Sequence, residues 1–354
     1  MKKGNTYTKV IVAVLVVIII ALAILFTFMV LRTKQTQEVS NQAENNVIVA
    51  EIAPEPEPEP IKIYSGEDRP IAVMIDNVGG ARPQAGLNDA YVVYEIIVEG
   101  GYTRMMAIFK GQDLDQIGPV RSARHYFLDY ALENDALYAH FGWSPQAQSD
   151  INLLDVDNIN GLIASSTQFW RVKDKAAPHN VVTSTEKMLE IAENNGYRTT
   201  SKEKSVLNYV PKEVDLSKRV DSVPATDVIL PFSKVSQVEL QYNAETGTYE
   251  KYADGKLQED WLTKDVVSCK NIIITFAENY PINDGENKDR QELENVGVLE
   301  GYYITNGNAI KITCDKPARE EKTVYKDLNG KEIEVNDGNT FIEIVPIDCD
   351  VTIE

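Results

Sequence analysis

The chain has 354 residues, 43% of them hydrophobic, and a formal charge of −19 at pH 7. That length holds a membrane segment, a linker and about two domains of roughly 100–200 residues each. The acidic balance argues against a general nucleic-acid binder, which needs a basic face to displace counterions from phosphate.

Lys2, Lys3 and Lys9 precede Val10 to Leu31, a run of 22 residues without a charge. At ~1.5 Å per residue such a helix spans the ~30 Å hydrocarbon core of a bilayer. The exit Phe28-Met29-Val30-Leu31-Arg32 lacks the small-x-small pattern of a cleaved signal peptide. No cysteine follows closely, which excludes a lipid-modified N-terminus, so an uncleaved anchor is expected. Three lysines before it against Arg32 and Lys34 after it favour residues 1–9 inside and the bulk outside. Residues 32–66 read as a disordered linker, because alternating proline and glutamate from Ala53 to Pro60 enforces extended geometry.

From residue 67 a globular pattern begins. Ile71 to Ile75 is a short apolar strand ending in Asp76-Asn77, and Ala90 to Glu99 alternates as a strand should. Arg104 to Phe109 pairs with it as a hairpin after Gly100-Gly101. Gly118-Pro119 breaks the chain, and Ser122 can cap a helix running to about Asn134. Leu137 to Phe141 is a further strand, and a second helix covers Thr185 to Asn194. After Asp221 hairpin signals recur at Ala244–Gly247, Ala253–Lys256, Asn306–Asn308, Leu328–Lys331 and Asn336–Asn339. The expected fold class is therefore α/β: a layered α/β sandwich over 67–220, then a mostly β domain over 221–354, behind one transmembrane helix.

The choice of cation is the most informative chemistry. The chain has 24 lysines and 11 arginines, yet from Gly66 to Arg171 it uses Arg69, Arg82, Arg104, Arg121, Arg124 and Arg171 with Lys110 as its one lysine. A planar fork that grips carboxylate or phosphate explains that switch. The competing explanation is that these arginines tie down the domain's own acids, Asp76, Asp89, Glu95, Glu99 and Asp129. Arg121 and Arg124 lean toward a ligand because a helix start would add N–H groups and positive dipole there. Glu95 and Glu99 invite a two-carboxylate glycosidase, but on a regular strand they lie about 13 Å apart at ~3.3 Å per residue. Such enzymes place their carboxyls ~5–9.5 Å apart, so one of them would have to work alone or with Asp76 or Asp89. Gly142-Trp143-Ser144-Pro145-Gln146 is not a nucleophile elbow. No histidine pair has zinc spacing, Asp155 to Gly161 fails as a calcium loop, and no phosphate-binding glycine loop is present. No metal or cofactor is expected. Cys269, Cys314 and Cys349 read as small buried hydrophobes.

Several stretches together carry a resemblance. They are Ile71 to Asn77, Arg82-Pro83-Gln84 with Gly86-Leu87, Tyr94-Glu95 with Glu99-Gly100-Gly101, and Thr103-Arg104. Ile117 to Arg124, His140-Phe141-Gly142 with Ser144 to Ala147, Pro178-His179-Asn180 and Gly301 to Gly307 complete the set. Combined, they resemble the YerB-like family, extracytoplasmic and often lipid-anchored proteins of Gram-positive bacteria. The resemblance implies a layered α/β domain followed by a β-rich one, and brings no settled activity. The chain departs from the family in lacking the lipid-attachment cysteine and in placing Trp143 where a small residue is more usual.

The resulting expectation is a single-pass membrane protein with its bulk outside, cleaving or remodelling cell-wall glycan. Glu95, Glu99, Asp76, His140 and His179 are the catalytic candidates. Arg82, Arg104, Arg121, Ser122, Arg124, Ser144, Gln146 and Asn180 are the ligand-binding ones. The alternative is a non-catalytic protein that recognises an anionic envelope ligand or a protein partner. Expected partners are the membrane and peptidoglycan or wall-associated proteins, with no nucleic acid.

Overall fold

The computed structural model describes residues 4–44, 60–64, 66–201, 205–286 and 288–354. It divides into two units, Met1–Pro58 and Glu59–Glu354. The first is a single helix, α1, Gly4–Glu44. Within it Lys9–Thr36 is long and apolar enough to cross a membrane. Leu22, Ile24, Phe26 and Phe28 stand exposed along it. The helix does not stop at Leu31, where the linker was expected to begin. Residues 33–44 contain neither proline nor glycine, and the Thr33 and Thr36 hydroxyls donate back to the Met29 and Arg32 carbonyls at 2.6 and 2.7 Å. Nothing in that stretch breaks the hydrogen-bond ladder. Most of the proline-glutamate segment, 45–59, lies outside the described residues.

The second unit is organised by one sheet of 12 strands. At its centre lie β1 (Ile71–Asp76), β2 (Val92–Ile97) and β3 (Thr103–Phe109), every residue of which is buried. Strands covered on both faces read as near-continuous apolar runs, and these do apart from Asp76, Glu95, Thr103 and Arg104. β1 pairs antiparallel with β3 and parallel with β4 (Leu137–His140), which pairs parallel with β5 (Asn158–Asn160). On the other side β2 pairs parallel with Thr340–Pro346, which in turn lies parallel to Asn271–Pro281. Gly297–Thr305, Asn308–Lys316 and Val324–Asp327 extend the sheet antiparallel, the first two joined at the expected Asn306–Asn308 turn.

One face of the sheet packs Val92, Tyr94 and Ile96 under helices α2 (His125–Glu133) and α3 (Pro145–Leu153). The other face packs Val93 and Ile97 against α4 (Thr185–Asn194) and a second sheet of six strands. In that sheet Val228, Leu230, Val238, Leu240 and Tyr249 point inward. The architecture is thus mixed α/β with a mostly β C-terminal region. Glu95 shares the second face with Glu343, its direct partner across the strand pair. Between both carboxylates sits the ammonium of Lys251, from the second sheet, at 2.7 and 3.3 Å.

The segments read as two domains therefore build one sheet. Val92 to Ile96 are paired with Thr340 to Ile344, and Phe341, Ile342, Ile344 and Val345 are buried. At roughly 1.5–3 kcal/mol per buried apolar side chain, losing these four contacts costs on the order of the 5–15 kcal/mol that stabilises a whole domain. Residues 67–220 expressed alone are expected to melt without a cooperative transition by circular dichroism, whereas 59–354 unfolds cooperatively. A sharp thermal transition in the shorter fragment would show that the halves fold independently.

Candidate functional site

The loop from Ile117 to Arg124 is pinned at every step. Ile117 exchanges backbone hydrogen bonds with Thr183, Val120 donates to Val181, and Arg121 donates to the Met74 carbonyl at 2.8 Å. Gly118 has φ +138°, and a Cβ there would stand 2.8 Å from the Val120 nitrogen and 3.0 Å from the Val181 oxygen. Glycine is the residue that fits. The helix that follows begins at His125 with Arg124 as its N-cap, two residues past the expected cap Ser122. Ser122 is no cap. Its hydroxyl donates to the Phe141 carbonyl at 3.0 Å, and its carbonyl accepts from Arg104 Nη1 at 2.7 Å.

This loop, the end of β2 and the start of β3 form the wall of a cleft of about 470 Å³. Glu99, Arg104, Arg121, Ser122 and Arg124 line it, together with Val78, Val98, Tyr102, Trp143, Lys288 and Arg290. Arg124 grips Glu99 with both arms, at 2.5 and 2.8 Å. Arg121 Nε lies 3.2 Å from Asp76 Oδ2, the same oxygen that His179 Nδ1 approaches at 2.7 Å. Arg290 pairs with Asp284 and Glu286, and Lys288 with Glu286. Of the five lining cations, Arg104 alone has no carboxylate partner among the described residues. It is 6% exposed, and its Nε has no hydrogen-bond partner. Burial first, and then the neighbouring Arg124, depress its pKa to about 10, still well above neutral pH.

The remaining candidates lie elsewhere. Glu95 is 1% exposed beneath the cleft floor, held by Lys251, Asn77 Nδ2 at 2.8 Å and the Thr103 hydroxyl at 2.5 Å. Arg82 ties Asn77 Oδ1 to Asp254 across to the second sheet. Ser144 caps α3, accepting from the Ala147 N–H at 3.2 Å. Gln146 donates to Glu292, and Asn180 accepts from Arg171 at 2.6 Å. His140 is fully buried, its ring between the Gly142 carbonyl at 2.8 Å and Asn158 at 3.4 Å. These side chains spend their hydrogen bonds on the fold, and none of them lines the arginine cleft. Sequence reasoning missed Arg290, Lys288, Tyr102 and Trp143 as lining groups. The signal for Arg290 was the same preference for arginine, since residues 221–354 contain just two, Arg290 and Arg319.

A proton-donating carboxyl needs a raised pKa, and the cleft does not supply one. Burial pushes Glu99 up, but the bidentate Arg124 and the field of Arg104 outweigh it, and its pKa falls below the usual range. Glu99 is a carboxylate at neutral pH. Glu343 is raised by burial, against the pull of Lys251, but it lies fully buried under the sheet. Asp76 with His179 keeps the form of a carboxylate-oriented imidazole.

His140 carries a consequence for stability. Burial lowers its pKa to about 4. Between pH 6.5 and about 4 the unfolded chain binds a proton there and the folded protein does not, so stability falls as pH falls. The whole window amounts to about 3 kcal/mol at ~1.4 kcal/mol per unit. In urea unfolding of residues 59–354, His140→Gln is expected to shrink the loss of stability between pH 7 and pH 4.5 by about 2–3 kcal/mol. An unchanged pH dependence would place the titration elsewhere.

Comparison with known proteins agrees with this fold. Residues 59–198 match the N-terminal domain, and residues 228–342 the C-terminal domain, of a family described as protein of unknown function (DUF3048). The protein named "Putative lipoprotein YerB" of Bacillus subtilis (strain 168) is 32% identical over 292 residues, which is 79% of this chain and 82% of that protein. The crystal structure of the YerB protein from Bacillus subtilis matches with a TM-score of 0.71 at 30% identity, covering 81% of this chain and 94% of that one. The chain belongs to the DUF3048 family, carries both of its domains in order, and is YerB-like across its globular unit.

Proposed function

We propose that the protein is held in the membrane by α1, with its globular unit on the outer side, and that it binds an anionic ligand of the cell envelope in the arginine-lined cleft without cleaving it. Arg104, which has no carboxylate partner among the described residues, is the observation that carries this reading. A buried guanidinium whose charge no acid balances at close range carries a desolvation cost that an anion in the cleft it lines would offset. Arg121, Arg124, Lys288 and Arg290 surround the same space and favour that anion. The lysines before Val10 favour the outward orientation, and a relative named a lipoprotein fits a membrane-tethered life. Peptidoglycan, whose stem peptides and lactyl groups carry carboxylates, is the ligand this reading puts first.

A glycan-cleaving enzyme is the second reading, supported by the Asp76–His179 pair and weakened by the depressed pKa of Glu99. Calorimetry of the full chain in detergent with a disaccharide-tripeptide muropeptide separates the two. Saturable binding without new products is expected, and Arg104→Gln should weaken it about 10–100-fold, the value of a lost charge-assisted contact at ~1.5–3 kcal/mol. Release of smaller fragments that His179→Ala abolishes would establish the enzyme instead. Absence of binding by the wild-type chain would overturn the ligand reading.

A further inference from the structure

We infer that the cleft selects a saccharide bearing a single negative charge, so that one anionic group meets Arg104 while the sugar ring lies against Tyr102 and Trp143. The inference rests on the binding reading above and narrows it to a ligand class.

Charge comes first. Four of the cleft's five lining cations already have a carboxylate within 4 Å, through Asp76, Glu99, Asp284 and Glu286. The uncompensated charge is one, and it sits on Arg104. A singly charged group neutralises it. A phosphate monoester or diphosphate brings more negative charge than the free guanidinium balances, and must compete with acids that already hold the other cations, Glu99 bidentately. Arg104 lines the cleft with its Nη1 on the Ser122 carbonyl and its Nε enclosed, and the ligand's anion meets the guanidinium from the cleft side.

Shape comes second. The apolar part of the lining consists of Val78, Val98 and two aromatic rings, beside five cations, Glu99 and Ser122. Tyr102 is 44% exposed, on the turn that links β2 to β3. Trp143 is held in place from below, its ring 5.5 Å from the buried His140 ring and its backbone bridged to Ala123. An aromatic surface fixed in this way offers one flat apolar face in polar surroundings. An aliphatic side chain would want an enclosed apolar hole, which this mouth lacks. A pyranose, apolar on one face and hydroxylated around its rim, matches it. The cleft's volume of about 470 Å³ is within the range of small-ligand sites, roughly 300–1,000 Å³.

The test is calorimetry of the full chain in detergent with four probes. N-acetylmuramic acid carries one carboxylate, N-acetylglucosamine is its neutral twin, N-acetylglucosamine 6-phosphate is doubly charged, and N-acetyl-D-alanyl-D-alanine has a carboxylate without a sugar. The expected result is N-acetylmuramic acid bound at least ~10-fold more tightly than each of the others. Tyr102→Ala should weaken it about fivefold, the value of ~1 kcal/mol of ring contact, while leaving the weaker affinity for the sugar-free dipeptide unchanged. Tighter binding of the 6-phosphate, equal binding of the dipeptide, or indifference to Tyr102→Ala would overturn the inference while leaving an anion site in place. If the muropeptide itself fails to bind, the broader reading falls with it.

Discussion

The structure depends on a seam where Glu95 and Glu343 face each other across parallel strands with one ammonium between them. Two carboxylates opposed on a sheet repel, and burial makes each charge costly. Burial also disfavours the charge on Lys251, yet Glu343 and Glu95 together hold its pKa above that of a free lysine. Removing one member of such a buried cluster typically costs about 3–5 kcal/mol, because the others are left uncompensated. The three residues come from β2, Thr340–Pro346 and the second sheet, so they register both sheets and both halves of the sequence at one point. Glu95 also accepts from Asn77 and Thr103, which stand at the ends of β1 and β3 where the cleft opens. The positions of Arg104 and Glu99 follow from that registry.

Much of this was legible in the chain, because local patterns carry local information. The alternation of Val92, Tyr94 and Ile96 against Val93 and Ile97 named the two faces of β2 correctly, and α4 covers Thr185 to Asn194 as expected. Turns at Asn306-Gly307 and Asp254-Gly255 join the strands their sequences indicate. What failed was long-range. No spacing told that Thr340–Pro346 would insert beside β2, more than two hundred residues away, and so the seam hid inside a segment read as a separate domain. Ser122 looked like a helix cap because a serine before an apolar-periodic run usually is one. The Phe141 carbonyl claimed its hydroxyl instead.

The arginine preference also divides in a physical way. Arg69, Arg82, Arg121 and Arg124 each meet an acid of the same chain, as the scaffolding explanation required. Arg104 does not, and composition could not distinguish it from the rest. Its isolation arises because β3 starts with its side chain behind Ser122, whose carbonyl takes one arm, while Arg124 has taken the nearest carboxylate. A cleft with one buried cation that no carboxylate among the described residues balances, ringed by compensated ones, is suited to recognising its ligand by a single group.

The most direct measurement is nuclear magnetic resonance of arginine side chains, following the Nε–H signal of Arg104 in 15N-labelled protein as N-acetylmuramic acid is added. If Arg104 is the anchor, its Nε–H shifts strongly and saturably while that of Arg69, tied to Asp157 away from the cleft, stays still. An Arg104 signal that does not move while the sugar acid demonstrably binds would contradict the account at its centre.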